Sequence, residues 1–258
     1  MSSYTGFASM YDILMADTPY EAWTAYIDKT LKEHLKKEKP LILDLACGTG
    51  NITLPLARIG YEMIGLDASA DMLAEAQRKA YEENAQILFI AQDARELDLY
   101  GTIDGAVSVC DGLNYILHEN ELKEVFRRVH LFMNPGGIFI FDMNTEYKFK
   151  ERLGKRTFEH KAPSGESYIW ENNYDEEKMI NEYNMLFFSL DAGEAFRELH
   201  LQRAYPAELV CGLLTNAGFT DIKTFDGYTI NPPAAESNRV VYTARKTDTN
   251  SNFGELIM

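Results

Sequence analysis

Short apolar runs alternate with amphipathic helical patterns over residues 41–143, and this alternation constrains the fold more than any other feature of the sequence. The apolar runs occupy residues 41–45, 61–66, 86–91, 103–109 and 138–141, with helical patterns at 52–59, 71–84 and 119–133. A further helical pattern at 20–39, ended by Pro40, precedes the first run. Strands that alternate with helices form parallel sheets through right-handed crossovers. The sequence therefore predicts an α/β, Rossmann-like, doubly wound core.

Residues 146–204 break this pattern. Strand-like segments at 156–162, 166–172, 179–190 and 195–204 are separated by turn signals at Pro163–Gly165, Asp175–Glu177 and Asp191–Gly193. The core pattern then resumes with a helix between Pro206 and Gly218 and with strands at 221–225 and 239–244. We predict a mostly parallel seven-stranded sheet built from residues 1–145 and 205–246. Residues 146–204 form an inserted antiparallel β cap, residues 1–39 a lid with helices, and residues 247–258 a polar tail.

The charge and the cysteines exclude several classes of protein. A net charge of −15 repels phosphate backbones, so nucleic acid is not expected as a partner. No run of about 18 apolar residues indicates a membrane span, and we expect a cytoplasmic protein. The three widely spaced cysteines indicate reduced thiols and no metal site. The oligomeric state stays open, with a homodimer as one alternative.

The stretch LDLACGTGNIT, residues 43–53, lies where a dinucleotide loop would sit after the first strand. It has Gly48 and Gly50, but Thr53 stands where a third glycine belongs, and Asp44 precedes the loop. The acid Asp67 follows the second strand at the place where a ribose diol is bound. An adenosine without phosphates but with a positive charge suits these acids better than a pyrophosphate does. An NAD-dependent oxidoreductase remains the alternative.

Four motifs in order resemble the class I methyltransferases that use S-adenosylmethionine (SAM). They are LDLACGTG, IGLDAS, AQDA and MNPGGIFIFDM, and the similarity resumes at AYPAELVCGLLTNAGF. The resemblance implies a SAM cofactor and a set of residues that surround it. These are Asp44 in a supporting role, Ala46, Cys47 and Gly48 at the methionine part, Asp67 at the ribose, Ala68 and Met72 beside the adenine, Asp93 and Ala94 at the adenine nitrogens, and Cys110 near the sulfonium.

The N-terminal stretch YTGFASMYDILM resembles the lid of small-molecule methyltransferases, in which a tyrosine hydroxyl reaches the cofactor carboxylate. Tyr4 or Tyr11 is the candidate for that role, and packing of either ring on the core is the alternative. Such a lid would exclude water and hold the two reactants together.

The cap implies a small acceptor, because its position matches the antiparallel caps of methyltransferases that act on glycine or amino sugars. Asn114, Tyr115 and His118, after the fourth strand, are weak catalytic candidates, with His118 also placed to open the next helix. Asn114 and Tyr115 are also substrate candidates, together with Trp170 and Tyr205. Tyr168 shares a strand face with Trp170, and both rings either form an aromatic wall or pack the cap on the core.

We therefore expect methyl transfer from SAM to an amine or hydroxyl of a small molecule. A protein that binds SAM or its demethylated product without catalysis is an alternative of a different class. A macromolecular acceptor is a third alternative, which the acidic charge disfavours.

Overall fold

The computed structural model describes residues 7–161, 167–189 and 194–247. Tyr4, the turns predicted at Pro163–Gly165 and Asp191–Gly193, and the tail from residue 248 onward lie outside the described residues. No helix within the described ranges is both long and apolar enough to cross a bilayer.

The elements follow the predicted alternation and then the predicted meander. The helices are α1 (Phe7–Leu14), α2 (Tyr20–His34), α3 (Thr53–Ile59), α4 (Ala70–Glu82), α5 (Glu119–Phe132) and α6 (Ala207–Asn216). The core strands are β1 (Leu41–Leu45), β2 (Glu62–Asp67), β3 (Leu88–Ala91), β4 (Ile103–Ser108), β5 (Met133–Asn144), β10 (Thr220–Asp226) and β11 (Arg239–Arg245). The strands between them are β6 (Thr157–Lys161), β7 (Ser167–Asp175), β8 (Ile180–Ser189) and β9 (Glu194–Arg203).

The core strands form one seven-stranded sheet in the order β10-β11-β5-β4-β1-β2-β3. Strands β1 to β5 run parallel, while β11 is antiparallel to both β5 and β10. The chain winds outward from β1 to β2 and β3, and then returns to place β4 on the other side of β1. The carboxyl ends of β1 and β4 therefore flank the switch point, where open α/β sheets bind ligands.

Helices cover both faces of this sheet because its strands are apolar on both sides. On one face Phe126 of α5 packs against Phe139 and Phe141 of β5. On the other face Ile27 of α2 packs in a cluster with Ile42 of β1. All five side chains are buried.

Strands β6 to β9 form a separate antiparallel sheet in sequence order, which we call the cap sheet. Its register places Trp170, Met185 and Glu198 side by side on one face, with Tyr183 and His200 as the next pair. The predicted mostly parallel seven-stranded sheet and the additional antiparallel sheet are both confirmed.

Several predicted boundaries were wrong. Helix α2 ends at His34 rather than at residue 39, because Leu35 is already extended. Strand β3 begins at Leu88 rather than at residue 86. Strand β5 begins at Met133 rather than at residue 138, and its register shifts opposite β4 near the Pro-Gly-Gly sequence. Ser69 caps the start of α4, since its hydroxyl accepts the Met72 N–H at 3.3 Å.

We predict that Phe126→Ala lowers the free energy of unfolding by about 3–5 kcal/mol, because it leaves a cavity among fully buried rings. Chemical denaturation followed by circular dichroism measures the change. Tyr81→Ala, at a ring that is 85% exposed, is the control and should change stability little. Equal losses in the two variants would contradict the described packing.

Candidate functional site

A cavity of about 1040 Å³ opens at the switch point between β1 and β4. Its walls come from both the carboxyl ends of the core strands and the cap sheet. Most of the side chains predicted from sequence share this one cavity, namely Tyr11, Asp44, Ala46, Cys47, Gly48, Asp67, Ala68, Met72, Asp93, Ala94, Cys110, Tyr115, Tyr168 and Trp170. The structure thus brings together residues that lie up to 159 positions apart, from Tyr11 to Trp170.

The loop after β1 turns through three residues with positive φ, Ala46, Gly48 and Gly50. A Cβ on Gly48 would meet no atom within 4 Å, so this glycine leaves open space beside the backbone. A Cβ on Gly50 would lie 2.7 Å from Leu54, so that position needs glycine for close packing as well. Ala46 adopts a conformation that is strained for an L-residue, a feature that concentrates at functional sites.

Asp67 ties this loop to the loop after β2. Its Oδ2 accepts the Gly48 N–H and its Oδ1 accepts the Ser69 N–H, both at 2.8 Å. Each carboxylate oxygen keeps a second lone pair for a hydroxyl donor. Burial raises the pKa of Asp67, and the backbone hydrogen bonds oppose that shift.

Asp44 is buried beneath the loop, where the Thr53 hydroxyl donates to its Oδ2 at 2.5 Å. Burial raises the pKa of Asp44 to about 7, and the negative charge of Asp67 acts in the same direction. Neither carboxylate forms an ion pair with a cation in the described part of the chain. The end of the cavity at β1 and β2 is therefore poised to accept positive charge.

Asp93 occupies the cavity wall but is already engaged with Arg95. Its Oδ2 lies 2.6 Å from the guanidinium, and its Oδ1 also caps the short turn after β3. The hydrogen bond from Arg95 lowers the pKa of Asp93. Oδ1 accepts two hydrogen bonds from Arg95 and Oδ2 accepts one, so Oδ2 keeps a lone pair, and a role at an adenine stays a prediction.

The chain turns sharply after β4 at Cys110 and Asp111, two successive residues with positive φ. The Asp142 carboxylate accepts both of their N–H groups, at 3.0 Å and 2.7 Å. It also accepts the Tyr228 hydroxyl and pairs with Arg239. Because Asp142 is fully buried, these partners offset its desolvation, and they hold the turn in place.

Arg239 and Gln202 then fix the Asp111 side chain. The Arg239 guanidinium lies 2.7 Å from Asp111 Oδ1, and the Gln202 amide donates to Oδ2 at 2.6 Å. Arg239 in turn lies 5.1 Å from the ring centroid of Trp23. The Asp111 carboxylate is thereby held in the cavity wall beside Cys110.

Two tyrosine hydroxyls converge on the Cys110 thiol. The Tyr11 hydroxyl lies 3.9 Å from Cys110 Sγ, and the Tyr20 hydroxyl lies 4.0 Å from it. Burial raises the pKa of Cys110 to about 12, so the thiol stays protonated at neutral pH. Cys110 is therefore a neutral wall residue and not a nucleophile.

The cap sheet closes the cavity with the side chains of one face. Trp170 donates its Nε1–H to Asn172 at 3.0 Å and lies 5.4 Å from the ring of Tyr183. Tyr115 approaches the same face, with its hydroxyl 3.3 Å from His200 Nδ1. Burial lowers the pKa of His200 to about 4, so this imidazole is neutral near pH 7.

Three predicted site residues lie elsewhere. The Asn114 amide is fully buried and bonds to the backbone of Asn144 and Arg203, so we revise its predicted catalytic and substrate roles to a structural one. Tyr205 does not line the cavity, because its ring packs in the core, and its hydroxyl donates to the Ile116 carbonyl at 2.6 Å. His118 is exposed at the start of α5 and outside the cavity wall.

Other residues of the site escaped the sequence reasoning. The sequence could have indicated Asp142, because an acid inside an apolar strand needs buried hydrogen-bond or ionic partners. No pattern in the sequence indicates Arg239, Gln202 or Lys148, since each of them reaches the cavity only through the tertiary arrangement.

Helix α1 is fastened to the glycine-containing loop by Asp12. Its carboxylate accepts hydrogen bonds from Thr49 at 2.7 Å and from Asn51 and Lys79 at 2.8 Å. Lys79 also donates to Asn51, at 2.8 Å, which closes the network. Any movement of α1, which carries Tyr11, is therefore coupled to the loop after β1.

Comparison with known proteins gives three findings. Residues 42–137 match the family model described as a methyltransferase domain. The chain is 38% identical to the methyltransferase-family protein YqeM of Bacillus subtilis (strain 168), over 95% of this chain and 98% of that one. A crystal structure of an S-adenosylmethionine-dependent methyltransferase from Clostridium acetobutylicum ATCC 824 superposes with a TM-score of 0.85 at 29% identity, covering 95% and 99% of the two chains.

We predict that Asp12→Asn loosens α1 at pH 7 and has little effect near pH 3. Although burial alone would raise the pKa of Asp12, hydrogen bonds from Lys79, Thr49 and Asn51 lower it. A carboxyl with a lowered pKa stabilises the fold above its unfolded-state pKa of about 4, and that stabilisation is lost as the pH falls. Hydrogen exchange of the α1 amides should accelerate by up to about tenfold at pH 7.

Asp71→Asn, at the first turn of α4, serves as the matched control. Unchanged exchange in α1 of the Asp12 variant, or an effect that persists in full at pH 3, would contradict the role of Asp12.

Proposed function

The chain belongs to the S-adenosylmethionine-dependent methyltransferases, and on that premise we propose that it methylates an amine or hydroxyl of a small-molecule acceptor. One observation carries the proposal. A single cavity joins the acidic carboxyl ends of β1 and β2 to the aromatic face of the cap sheet. A donor and a small acceptor can therefore meet inside it, away from water.

The residues at the switch point fit SAM. The backbone beside Gly48 has open space, and Asp67 keeps lone pairs for two ribose hydroxyls. Asp44 and Asp67 suit a ligand that is positively charged and carries no phosphate. Ala68 and Met72 provide an apolar border for the adenine. Tyr11 would reach toward the methionine part from α1.

Bound SAM supplies a methyl group on a sulfonium, which is already activated toward a lone pair of the acceptor. The protein mainly has to orient the acceptor and exclude water, and orientation of this kind contributes about 7–11 kcal/mol in favourable cases. The turn at Cys110 and Asp111 and the cap sheet provide the walls for this. No nucleophilic side chain is required.

Asp111 is our candidate for orienting the acceptor. Its carboxylate pairs with Arg239, and each oxygen keeps a lone pair after binding Arg239 and Gln202. An acceptor N–H or O–H that donates to Asp111 would point its lone pair into the cavity beside Cys110. The carboxylate would also hold the proton that the acceptor sheds.

The proposal is tested by incubating the protein with SAM and a panel of amines, amino acids and phenols, and by measuring methyl uptake by mass spectrometry. We expect methylation of at least one small acceptor. Binding of SAM without any methyl transfer across the panel would instead support a non-catalytic SAM-binding protein.

We predict that the protein binds SAM and not NADH, and that Asp67→Asn weakens SAM binding by about 10- to 100-fold. Hydrogen bonds to a charged group contribute about 1.5–3 kcal/mol each, which gives this range. Calorimetric titration measures both ligands, and a thermal melt of each variant reports whether it is folded. Asp98→Asn, at an exposed acid, is the control. A heat of binding for NADH, with no heat of binding for SAM, would favour the alternative that the protein is an NAD-dependent oxidoreductase.

We predict that the affinity for SAM, relative to that for S-adenosylhomocysteine (SAH), rises between pH 6 and pH 8. A pKa of about 7 means that Asp44 is largely protonated at pH 6, and a nearby sulfonium favours its ionised form. Below pH 7 the binding of SAM must release the Asp44 proton, whereas above pH 7 the carboxylate is already ionised. The ratio of the SAM affinity to the SAH affinity should therefore rise by up to about tenfold between pH 6 and pH 8.

SAH is the matched comparison because it lacks only the methyl group and the positive charge. Asp44→Asn should flatten the ratio across this pH range. A ratio that is constant in the wild type, or one that stays pH-dependent in Asp44→Asn, would contradict the role of Asp44.

A further inference from the structure

Two cations line the cavity from a single helical segment. Lys148 and Arg152 belong to a π-helical segment, Lys148–Leu153, that follows β5. Phe149 and Leu153 of the same segment are buried in a cluster with Tyr183 beneath the cap sheet. These apolar side chains anchor the segment, and Lys148 and Arg152 line the cavity, together with Leu153.

Neither cation has an acidic partner within the described residues. Lys148 Nζ donates to the neutral Asn144 Oδ1 at 2.9 Å, and the Arg152 guanidinium lies 5.5 Å from the ring centroid of Tyr147. Lys150, on the outer side of the same segment, instead pairs with Glu176 at 2.6 Å. Lys148 is half-buried and Arg152 is exposed, and both line the cavity.

The acids closest to Lys148 are already engaged. Asp111 and Asp142 both pair with Arg239. Burial lowers the pKa of Lys148, the charge of Arg239 adds to that shift, and the charges of Asp111, Cys110 and Asp142 oppose it. A half-buried ammonium with three donors and one neutral acceptor would be stabilised by an anion.

The charges of the cavity are therefore divided between its two ends. Asp44 and Asp67, at β1 and β2, have no cationic partner among the described residues and suit the positively charged cofactor. Lys148 and Arg152, after β5, suit a negatively charged group. The turn at Asp111 lies between the two ends in the strand order, since β4 separates β1 from β5.

Building on the proposed methyl transfer, we propose that the acceptor is a small amino or hydroxy acid whose carboxylate binds Lys148 and Arg152. Its amine or hydroxyl then donates to Asp111 and receives the methyl group. Lys148 and Arg152 are in this view specificity-determining residues, which select acids over the corresponding neutral or cationic compounds.

The experiment compares methylation of compounds that differ only in the carboxylate. The pairs are glycine and methylamine, L-tyrosine and tyramine, L-histidine and histamine, and salicylate and phenol. We expect kcat/KM for the acid to exceed that for its partner by about tenfold or more in at least one pair, as a charge-assisted hydrogen bond allows. Lys148→Met should abolish the preference, mainly by raising KM, while Lys148→Arg retains part of it.

Lys150→Met is the matched control, since it removes a lysine from the outer side of the same segment, and it should behave as the wild type. The affinity for SAH should be unchanged in Lys148→Met, which also shows that the variant is folded. A loss of SAH binding would mean that Lys148 serves the cofactor and would overturn the proposal.

Equal methylation of acids and their partners would overturn this inference and leave methyl transfer standing, whereas absence of SAM binding would remove the proposed function itself. If no pair is turned over, benzoate is titrated into the SAH complex. Heat in the wild type and in Lys150→Met that is lost in Lys148→Met supports an anion site at Lys148, and no heat in the wild type overturns it.

Discussion

The carboxylate of Asp142 holds two successive backbone N–H groups in a conformation that L-residues rarely adopt, and the position of the Asp111 side chain in the cavity wall depends on this interaction. Without it, the chain after β4 would relax, and the Asp111 side chain would leave the cavity wall. Arg239 binds both acids at once, so the turn, β5 and β11 are connected through one guanidinium. Breaking a buried ion pair of this kind usually costs about 3–5 kcal/mol, because it leaves an uncompensated charge.

The cavity combines two surfaces that arise from different physical causes. The core surface is a product of topology, because parallel strands that diverge from β1 leave a crevice at their carboxyl ends. The cap surface is a product of strand alternation, because every second residue of β7, β8 and β9 faces the same side. The first surface suits a cofactor used by many enzymes. The second is free to vary with the acceptor, since it carries no part of the core sheet.

The sequence predicted the fold, and it located the acids that end β1 and β2 in the cavity wall, because both depend on local patterns. Periodicity located the strands, and the acids Asp44 and Asp67 follow directly from strand ends. Local patterns did not locate the side chains at the other end of the cavity. Asn114 has the right residue type at the right place along the chain, but its amide satisfies backbone groups of two other segments. Lys148 and Gln202 reach the cavity from segments about 35 and 90 residues beyond Asp111, and no local pattern reports such a meeting.

The π-helical segment Lys148–Leu153 has a consequence for how enzymes of this kind diverge. A π-helix carries one extra residue per turn compared with an α-helix, and such turns are usually short insertions into ordinary helical geometry. Deletion of a single residue here would restore an α-helical turn and rotate a different side chain into the place of Lys148. A one-codon deletion would thus change which side chain this segment presents to the cavity, while the parallel sheet and the loop after β1 stay unchanged.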